Sequence, residues 1–238
     1  MIDEGADVIE VGGESTRPGA DPVPLAIEIA RTIPVIGEIV TRWPSVRVAI
    51  DTVKSDVASA AIAAGATIVN DVSATRLDFT VASVCAASDC TLILMHSRGD
   101  VSNMASYDNA NYADDDVMGA VIRELGASAD RALEAGMESQ RIVLDPGVGF
   151  SKRSAQSVQV LAHLPRLLDL GFQVMVGASR KRFIGGLTGV QKPALRGAGT
   201  IGANVVALTL GATWFRVHDV RDNRHALDTA AAILGASA

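Results

Sequence analysis

The sequence predicts an α/β fold, a TIM-type (β/α)8 barrel with seven βα units in this chain. Three observations carry the prediction. Short β-branched runs recur between longer Ala- and Leu-rich stretches of helical character. Most of these runs are almost continuously apolar, as strands buried on both faces of a parallel sheet are. Nearly every run also ends in polar residues, where a barrel of this type collects its chemistry.

The strands are expected at Asp7–Gly13, Arg47–Thr52, Thr67–Ser73, Thr91–His96, Arg141–Gly147, Gln173–Arg180 and Thr213–Val220. Amphipathic helices are expected over Asp56–Ala64, Asp114–Ala135, Ala155–Leu170 and Leu195–Leu210. Gly65, Gly136, Gly171 and Gly211 stand at turns from a helix into the next strand, where a left-handed cap favours glycine. Gly-Ala-Asp at 5–7 and Gly-Ala-Thr at 65–67 and 211–213 repeat that solution.

Eight units close such a barrel and seven do not. The opening Met-Ile-Asp-Glu-Gly-Ala reads as the last turn of a helix with its glycine cap. One strand and most of one helix are therefore expected ahead of residue 1, and residues 1–238 are expected to form a single, N-terminally shortened barrel domain. A doubly wound open sheet is the competing architecture. Against it, no Gly-x-Gly-x-x-Gly follows a strand, and polar groups gather at too many strand ends.

Composition removes several function classes. With 48% hydrophobic and 20% charged residues the chain has the make-up of a globular protein with a sizeable core. The net charge of −6 and the lack of a dense Lys/Arg run argue against nucleic acid as a partner. Cys85 and Cys90 are too few for a disulfide framework and lack metal-binding spacing. No apolar run reaches membrane-spanning length and the start has no signal-peptide pattern, so a cytoplasmic protein is expected.

The first strand empties into Gly12-Gly13-Glu14-Ser15-Thr16-Arg17-Pro18-Gly19. Its glycines allow a sharp turn and a close approach to a ligand, and its hydroxyls and guanidinium suit an anion. The later strands end in Asp51, in Asn70 and Asp71, in His96, in Asp145, near Lys181, and in Arg216 and His218. Core packing does not explain such regularity, because a buried carboxylate is costly unless paired or facing a ligand.

Two chemistries separate in this set. Asp51, Asn70 and Asp145 suit the donor edge of a flat, nitrogen-rich heterocycle. Thr16, Arg17, Arg216 and His218 are donors for phosphate oxygens, and the loops after the last barrel strands frequently form phosphate sites. Lys181 stands beside both groups, as a donor to the ring, a counter-charge to a leaving anion or a Schiff-base lysine if kept apart from Arg180. Plainer readings stand beside these. Asp71 reads as a structural cap, His163 and His225 as surface groups, and His96 as either a pocket residue or a satisfied core histidine. Asp145 can serve a Pro-Gly turn, and Arg180 an ion pair that orders its loop.

Four segments in order resemble dihydropteroate synthases: Gly12 to Gly19, Asp145-Pro146-Gly147-Val148-Gly149-Phe150, Ser179-Arg180-Lys181, and Arg216-Val217-His218-Asp219-Val220. The resemblance covers essentially the whole chain. It implies a folate-pathway transferase that joins 4-aminobenzoate to 6-hydroxymethyl-7,8-dihydropterin diphosphate, giving dihydropteroate and diphosphate. By similarity Asp51, Asn70, Asp145 and Lys181 bind the pterin, Thr16, Arg216 and His218 hold the diphosphate, and Arg17 belongs to a closing loop. Ser179 and Phe150 fall where the aminobenzoate pocket is expected. Lys181, Arg216 and His218 are the expected catalytic groups, with no general base.

The resemblance also implies a magnesium ion, Mg2+, whose protein ligand is expected upstream of residue 1, and a homodimer. It departs from the family pattern in two places. The family's first-strand Asn-x-Thr loop is not in this sequence, and Ser97 stands where many relatives carry a bulkier residue. The rival functions are a pterin-binding methyltransferase domain, which needs no diphosphate donors, and a non-catalytic or incomplete pterin-binding barrel.

Overall fold

The structure is a computed structural model and describes residues 1–236. It opens with a short 3-10 turn, Ile2–Glu4, closed by Gly5 at φ 93° with its N–H on the Ile2 carbonyl, as the Gly-Ala signature implies. Then follow β1 (Val8–Gly12), α1 (Leu25–Arg42), β2 (Arg47–Asp51), α2 (Ser55–Ala63), β3 (Ile68–Asp71), α3 (Thr80–Ala86), β4 (Thr91–Met95) and α4 (Val117–Glu134). The second half comprises β5 (Ile142–Asp145), α5 (Ser154–Ala162), α6 (Leu164–Leu168), β6 (Gln173–Val176), α7 (Arg182–Thr188), α8 (Gly197–Thr209), β7 (Trp214–Phe215) and α9 (Val220–Gly235).

All seven strands pair in parallel in the sequential order β1 to β7. Alternation along them sorts two cores. One face packs outward against the helices through residues such as Val48, Ile50, Val69, Leu92, Leu94, Leu144 and Val176. The other face builds a compact inner cluster of Ala49, Ile68, Ile93, Val143 and Met175, with Val8 and Trp214 packed against it. That cluster takes one residue from every strand, the two edge strands included. The sheet is therefore curled upon itself as in a barrel, with its interior filled by side chains. Side chains cross from the first strands to the last: the Arg47 guanidinium of β2 lies 5.1 Å from the centre of the Trp214 ring of β7. Arg224 of α9 reaches Asp7 at 2.8 Å.

Several expected elements are shorter than the sequence pattern. The β6 strand stops at Val176 and β7 has only two residues, because the chain leaves the sheet to form ligand-side loops. The helix expected over Ala155–Leu170 breaks into α5 and α6 at His163, with Pro165 in the first turn of the second piece. The helix expected from Asp114 begins at Val117, since Asp114 and Asp115 sit at φ 53° and 52°, and Asp116 caps α4 by accepting Gly119 N–H at 2.8 Å. No helix among the described residues is long and apolar enough to cross a membrane.

Candidate active site

Side chains alternate along a strand, so the residue two positions beyond each member of the inner cluster lies on the same face, nearer the strand's C-terminal end. Those residues are Glu10, Asp51, Asn70, Met95, Asp145, Gly177 and Arg216. The floor of the curled sheet is apolar, and five of these seven residues in the next layer are polar. This layer is the candidate site.

Its centre is Arg216. The guanidinium pairs with Asp51 Oδ2 at 2.8 Å and with Glu10 Oε2. Glu10 in turn accepts a hydrogen bond from Asn70 Nδ2 at 2.8 Å. The other end of that amide, Asn70 Oδ1, is buried without a hydrogen-bond partner. A buried acceptor left bare costs about 1–3 kcal/mol, a cost tolerated where a ligand brings the donor. Burial pushes the Asp51 carboxyl up to about 7, and the charge of Glu10 adds to the push against the opposing pull of Arg216. For Arg216, burial works against the charge, but Glu10 and Asp51 outweigh it and raise its pKa.

Asp145 ends β5 and is buried. Its Oδ1 accepts Gly147 N–H at 2.7 Å, so the turn reading of Asp145 holds for one oxygen. Its Oδ2 lies toward Gly177, where a Cβ would stand 3.7 Å from that oxygen and 3.9 Å from Arg216 Cβ. Burial raises the Asp145 pKa, while Gly147 N–H and the charge of Lys181 pull the other way. Lys181 lies with its Nζ 4.0 Å from the centre of the Phe150 ring, and burial lowers its pKa to about 8. Gly149 leaves the space this needs, since a Cβ there would be 3.2 Å from Lys181 Cδ.

Beneath this loop lies Lys152, fully buried. Its Nζ meets His96 Nδ1 at 2.8 Å, Phe150 O at 3.1 Å and Gly147 O at 3.2 Å. Burial lowers Lys152 to about 7 and His96 to about 4, with Lys152 also acting against a charged imidazole. His96 Nε2 sits 3.1 Å from Glu124 Oε2, so both ring nitrogens are occupied. Of the two readings of His96, the satisfied core histidine is the one the structure supports. Asp71 likewise is structural: it accepts Ser73 N–H at 2.8 Å, Ser73 Oγ–H at 2.7 Å and Thr75 N–H at 2.8 Å. Ser97, also buried, donates to Val72 O at 2.6 Å.

At the last strands, Ser179 Oγ lies 2.8 Å from His218 Nδ1 and accepts His218 N–H at 3.2 Å. The Ser179 hydroxyl thereby fixes the imidazole and leaves Nε2 as the outward nitrogen. Burial lowers the His218 pKa, helped by the charges of Arg180 and Arg216. Arg180, in a left-handed conformation at φ 58°, forms the expected loop-ordering ion pair with Asp219. Arg196 holds that loop from below through Arg180 O at 2.9 Å and Val190 O at 2.9 Å.

The loop after β1 is anchored by charge. Lys54 Nζ reaches Glu28 Oε2 at 2.5 Å, Val23 O at 2.7 Å and Glu14 Oε2 at 3.1 Å. Glu14 Oε1 also accepts Val23 N–H at 2.6 Å. Thr16 and the exposed Arg17 ride on this anchored frame. Among the described residues, neither side chain hydrogen-bonds or ion-pairs with Asp51, Asn70, Asp145 or Arg216. The structure thus brings Asp51, Asn70, Asp145 and Arg216 into one layer, with Lys181 and His218 in the loops that follow β6 and β7, while Thr16 and Arg17 remain on a peripheral loop.

A family model described as pterin binding enzyme matches residues 1–218. The dihydropteroate synthase of Mycobacterium leprae is 40% identical over 99% of this chain and 83% of its own length. The chain belongs to the dihydropteroate synthase family. A solved dihydropteroate synthase of Xanthomonas albilineans with 4-aminobenzoic acid superposes with a TM-score of 0.90 at 42% identity, covering 98% of this chain and 81% of that one. A second Xanthomonas albilineans structure, in complex with 7,8-dihydropteroate, gives 0.86 at 39% identity over 98% and 83% of the two chains.

Sequence reading passed over three residues of this site. Glu10 is the lone charge in Val8-Ile9-Glu10-Val11, and strict alternation from Val8 places it on the inner face. Lys152 follows the Asp-Pro-Gly segment, but nothing local distinguishes a buried lysine from a solvated one. Lys54 stands three residues beyond Asp51, and its partners come from 26 and 40 residues away in sequence.

Proposed function

We propose that this chain condenses 4-aminobenzoate with 6-hydroxymethyl-7,8-dihydropterin diphosphate, releasing diphosphate and forming 7,8-dihydropteroate. One observation supports this best: a single layer holds the acceptors Asp51, Asn70 Oδ1 and Asp145 against the donor Arg216, with Lys181 in the loop that follows β6. The acceptors suit the N–H edge of the pterin and the donors suit the anion attached to it.

The chemistry follows from charge. As the bond from the pterin methylene to the diphosphate oxygen lengthens, negative charge grows on the leaving oxygen and positive charge on the pterin. Arg216, Lys181 and the outward Nε2 of His218 supply fixed donors for the first, and Thr16 and Arg17 add to them when their loop meets the ligand. Asp145 and Asp51 face the second. The weakly basic aromatic amine then attacks the methylene carbon as the C–O bond to diphosphate breaks, and the acidic anilinium so formed gives its proton to water or to the departing diphosphate, so no strong base is assigned. Phe150 and Ser179 border the space proposed for the aminobenzoate.

Magnesium is carried by the family resemblance alone. Among the described residues no group of three His, Cys, Asp or Glu side chains is placed to hold a cation, and Glu10 and Asp51 are both engaged by Arg216. A homodimer in the cytoplasm remains part of the proposal; the exposed apolar Leu187, Leu195 and Val206 are surface that a partner subunit would cover. Sedimentation of the purified protein tests the dimer.

The decisive assay couples diphosphate release to the presence of both substrates and identifies dihydropteroate by mass. Product formation that requires both substrates and is lost in Asp145→Ala and Arg216→Ala supports the reading. Binding of the pterin diphosphate without turnover, under conditions where a family member is active, would leave only a pterin-binding barrel.

A further inference from the structure

Asn70 is 1% exposed, yet one end of its amide has no partner. Which end that is depends on Glu10. A carboxylate has only acceptors to offer, so it takes the amide's N–H side and turns the carbonyl the other way. The observed contact runs from Asn70 Nδ2 to Glu10 Oε1 at 2.8 Å, and Oδ1 is the orphan. The second Glu10 oxygen is held by the Arg216 guanidinium, which also grips Asp51. Glu10 is thus pinned at one oxygen and orients Asn70 with the other.

We infer that Glu10 is a positioning residue: it does not itself meet the substrate, but fixes Asn70 with its carbonyl as an acceptor for a pterin N–H. The inference rests on the function proposed above and names a residue that function does not use. Without Glu10 the amide is free to rotate by half a turn about its terminal bond and present N–H where the pterin also presents N–H. Two donors then face each other, and the hydrogen bond is replaced by repulsion. Asp51 and Asp145 need no such device, because a carboxylate is an acceptor at either oxygen.

The test is a double-mutant cycle read by calorimetry with 6-hydroxymethylpterin, a probe that lacks the diphosphate and so reads the contacts to the heterocycle alone. Glu10→Leu is expected to weaken pterin binding tenfold or more while the KM for 4-aminobenzoate stays within twofold. Glu10→Gln offers one acceptor where Glu10 offers two; the Arg216 guanidinium takes it and N–H faces Asn70, so this variant is expected to lose pterin affinity as Glu10→Leu does. On an Asn70→Ala background, Glu10→Leu is expected to change pterin affinity by less than twofold. Glu10→Ala serves the same cycle if the leucine variant does not fold. Pterin affinity unchanged in both apolar variants, or losses from Glu10→Leu and Asn70→Ala that simply add, would overturn the inference while leaving the proposed function standing. Failure of the wild-type protein to bind the pterin at all would overturn that function and the inference with it.

Discussion

Asp51 and Arg216 are separated by 165 residues of sequence and joined by a 2.8 Å hydrogen bond across the mouth of the curled sheet. The pair ties β2 to the end of β7, and it also holds two binding groups in check. Asp51 gives one oxygen to a guanidinium that the proposed function assigns to diphosphate, and Arg216 pairs with two carboxylates, Asp51 and Glu10.

Asp51→Asn should therefore affect the two ligands in opposite ways. Losing a charged acceptor should weaken binding of 6-hydroxymethylpterin by about tenfold to a hundredfold, the range for a charge-assisted hydrogen bond of roughly 1.5–3 kcal/mol. Inorganic diphosphate should bind as well or better, because Arg216 is left with Glu10 alone. Separate titrations with the two ligands measure this, and parallel losses for both would refute the checking role.

The alkaline limb of activity should report Lys181. Burial lowers its pKa to about 8, with Asp145 the leading opposing influence. The protonated amine is the useful form toward a leaving anion, so kcat/KM should fall as pH rises through about 8. Stability has the opposite sign. Between about 8 and the ordinary lysine value of 10.5 the unfolded chain binds more protons at this site than the folded one. This group therefore adds stability as pH rises across that window and loses it as pH falls through about 8. Lys181→Arg should lack the limb near 8 in a pH–rate profile, at a lower overall rate.

Gly147 and Gly171 both adopt positive φ, 66° and 83°, but differ in what surrounds them. A Cβ on Gly147 would stand 1.9 Å from His96 O, whereas one on Gly171 meets nothing within 4 Å. Gly171→Ala should cost about 1–2 kcal/mol, the conformational penalty alone. Gly147→Ala should cost more than about 3 kcal/mol, since it adds a backbone collision to the same penalty and disturbs the loop carrying Asp145. Urea midpoints of the two variants check the ordering.

The strand count and the parallel order were legible because each strand is an apolar run set off by glycine caps, and Gly5, Gly65, Gly136, Gly171 and Gly211 all take the expected positive φ. Asp51, Asn70, Asp145 and Arg216 were legible because they end apolar strands, where a burial cost has to be met by a ligand or a partner. Glu10 was not, for it sits inside its strand and its partners Asn70 and Arg216 come from β3 and the end of β7. The role of His96 was undecidable from sequence for the same reason. Lys152 lies 56 residues away, and only the turn after β5 brings its amine onto the imidazole. The break at His163 was missed because Pro165 fits the first turn of a new helix as readily as it ends an old one.

Lys54 should prove to be the anchor of the loop that carries Thr16 and Arg17. Glu28 is fully buried, with one oxygen accepting from Thr52 Oγ1 at 2.7 Å and the other from Lys54 at 2.5 Å. Burial opposes the lysine's charge, yet its bonds to Glu28 and Glu14 outweigh it and raise its pKa. Lys54→Met leaves Glu28 as a buried carboxylate without its cation, a change that costs about 3–5 kcal/mol. Lys54→Met combined with Glu28→Gln should recover most of that loss in a urea titration, because the uncompensated charge is then gone. The loop itself should not recover, since Val23 O and Glu14 still lack their shared amine. Limited proteolysis between residues 13 and 24 should therefore remain faster in the double variant than in the wild type. Wild-type rates of cleavage there would mean that Glu14 alone, through Val23 N–H, is enough to hold the loop.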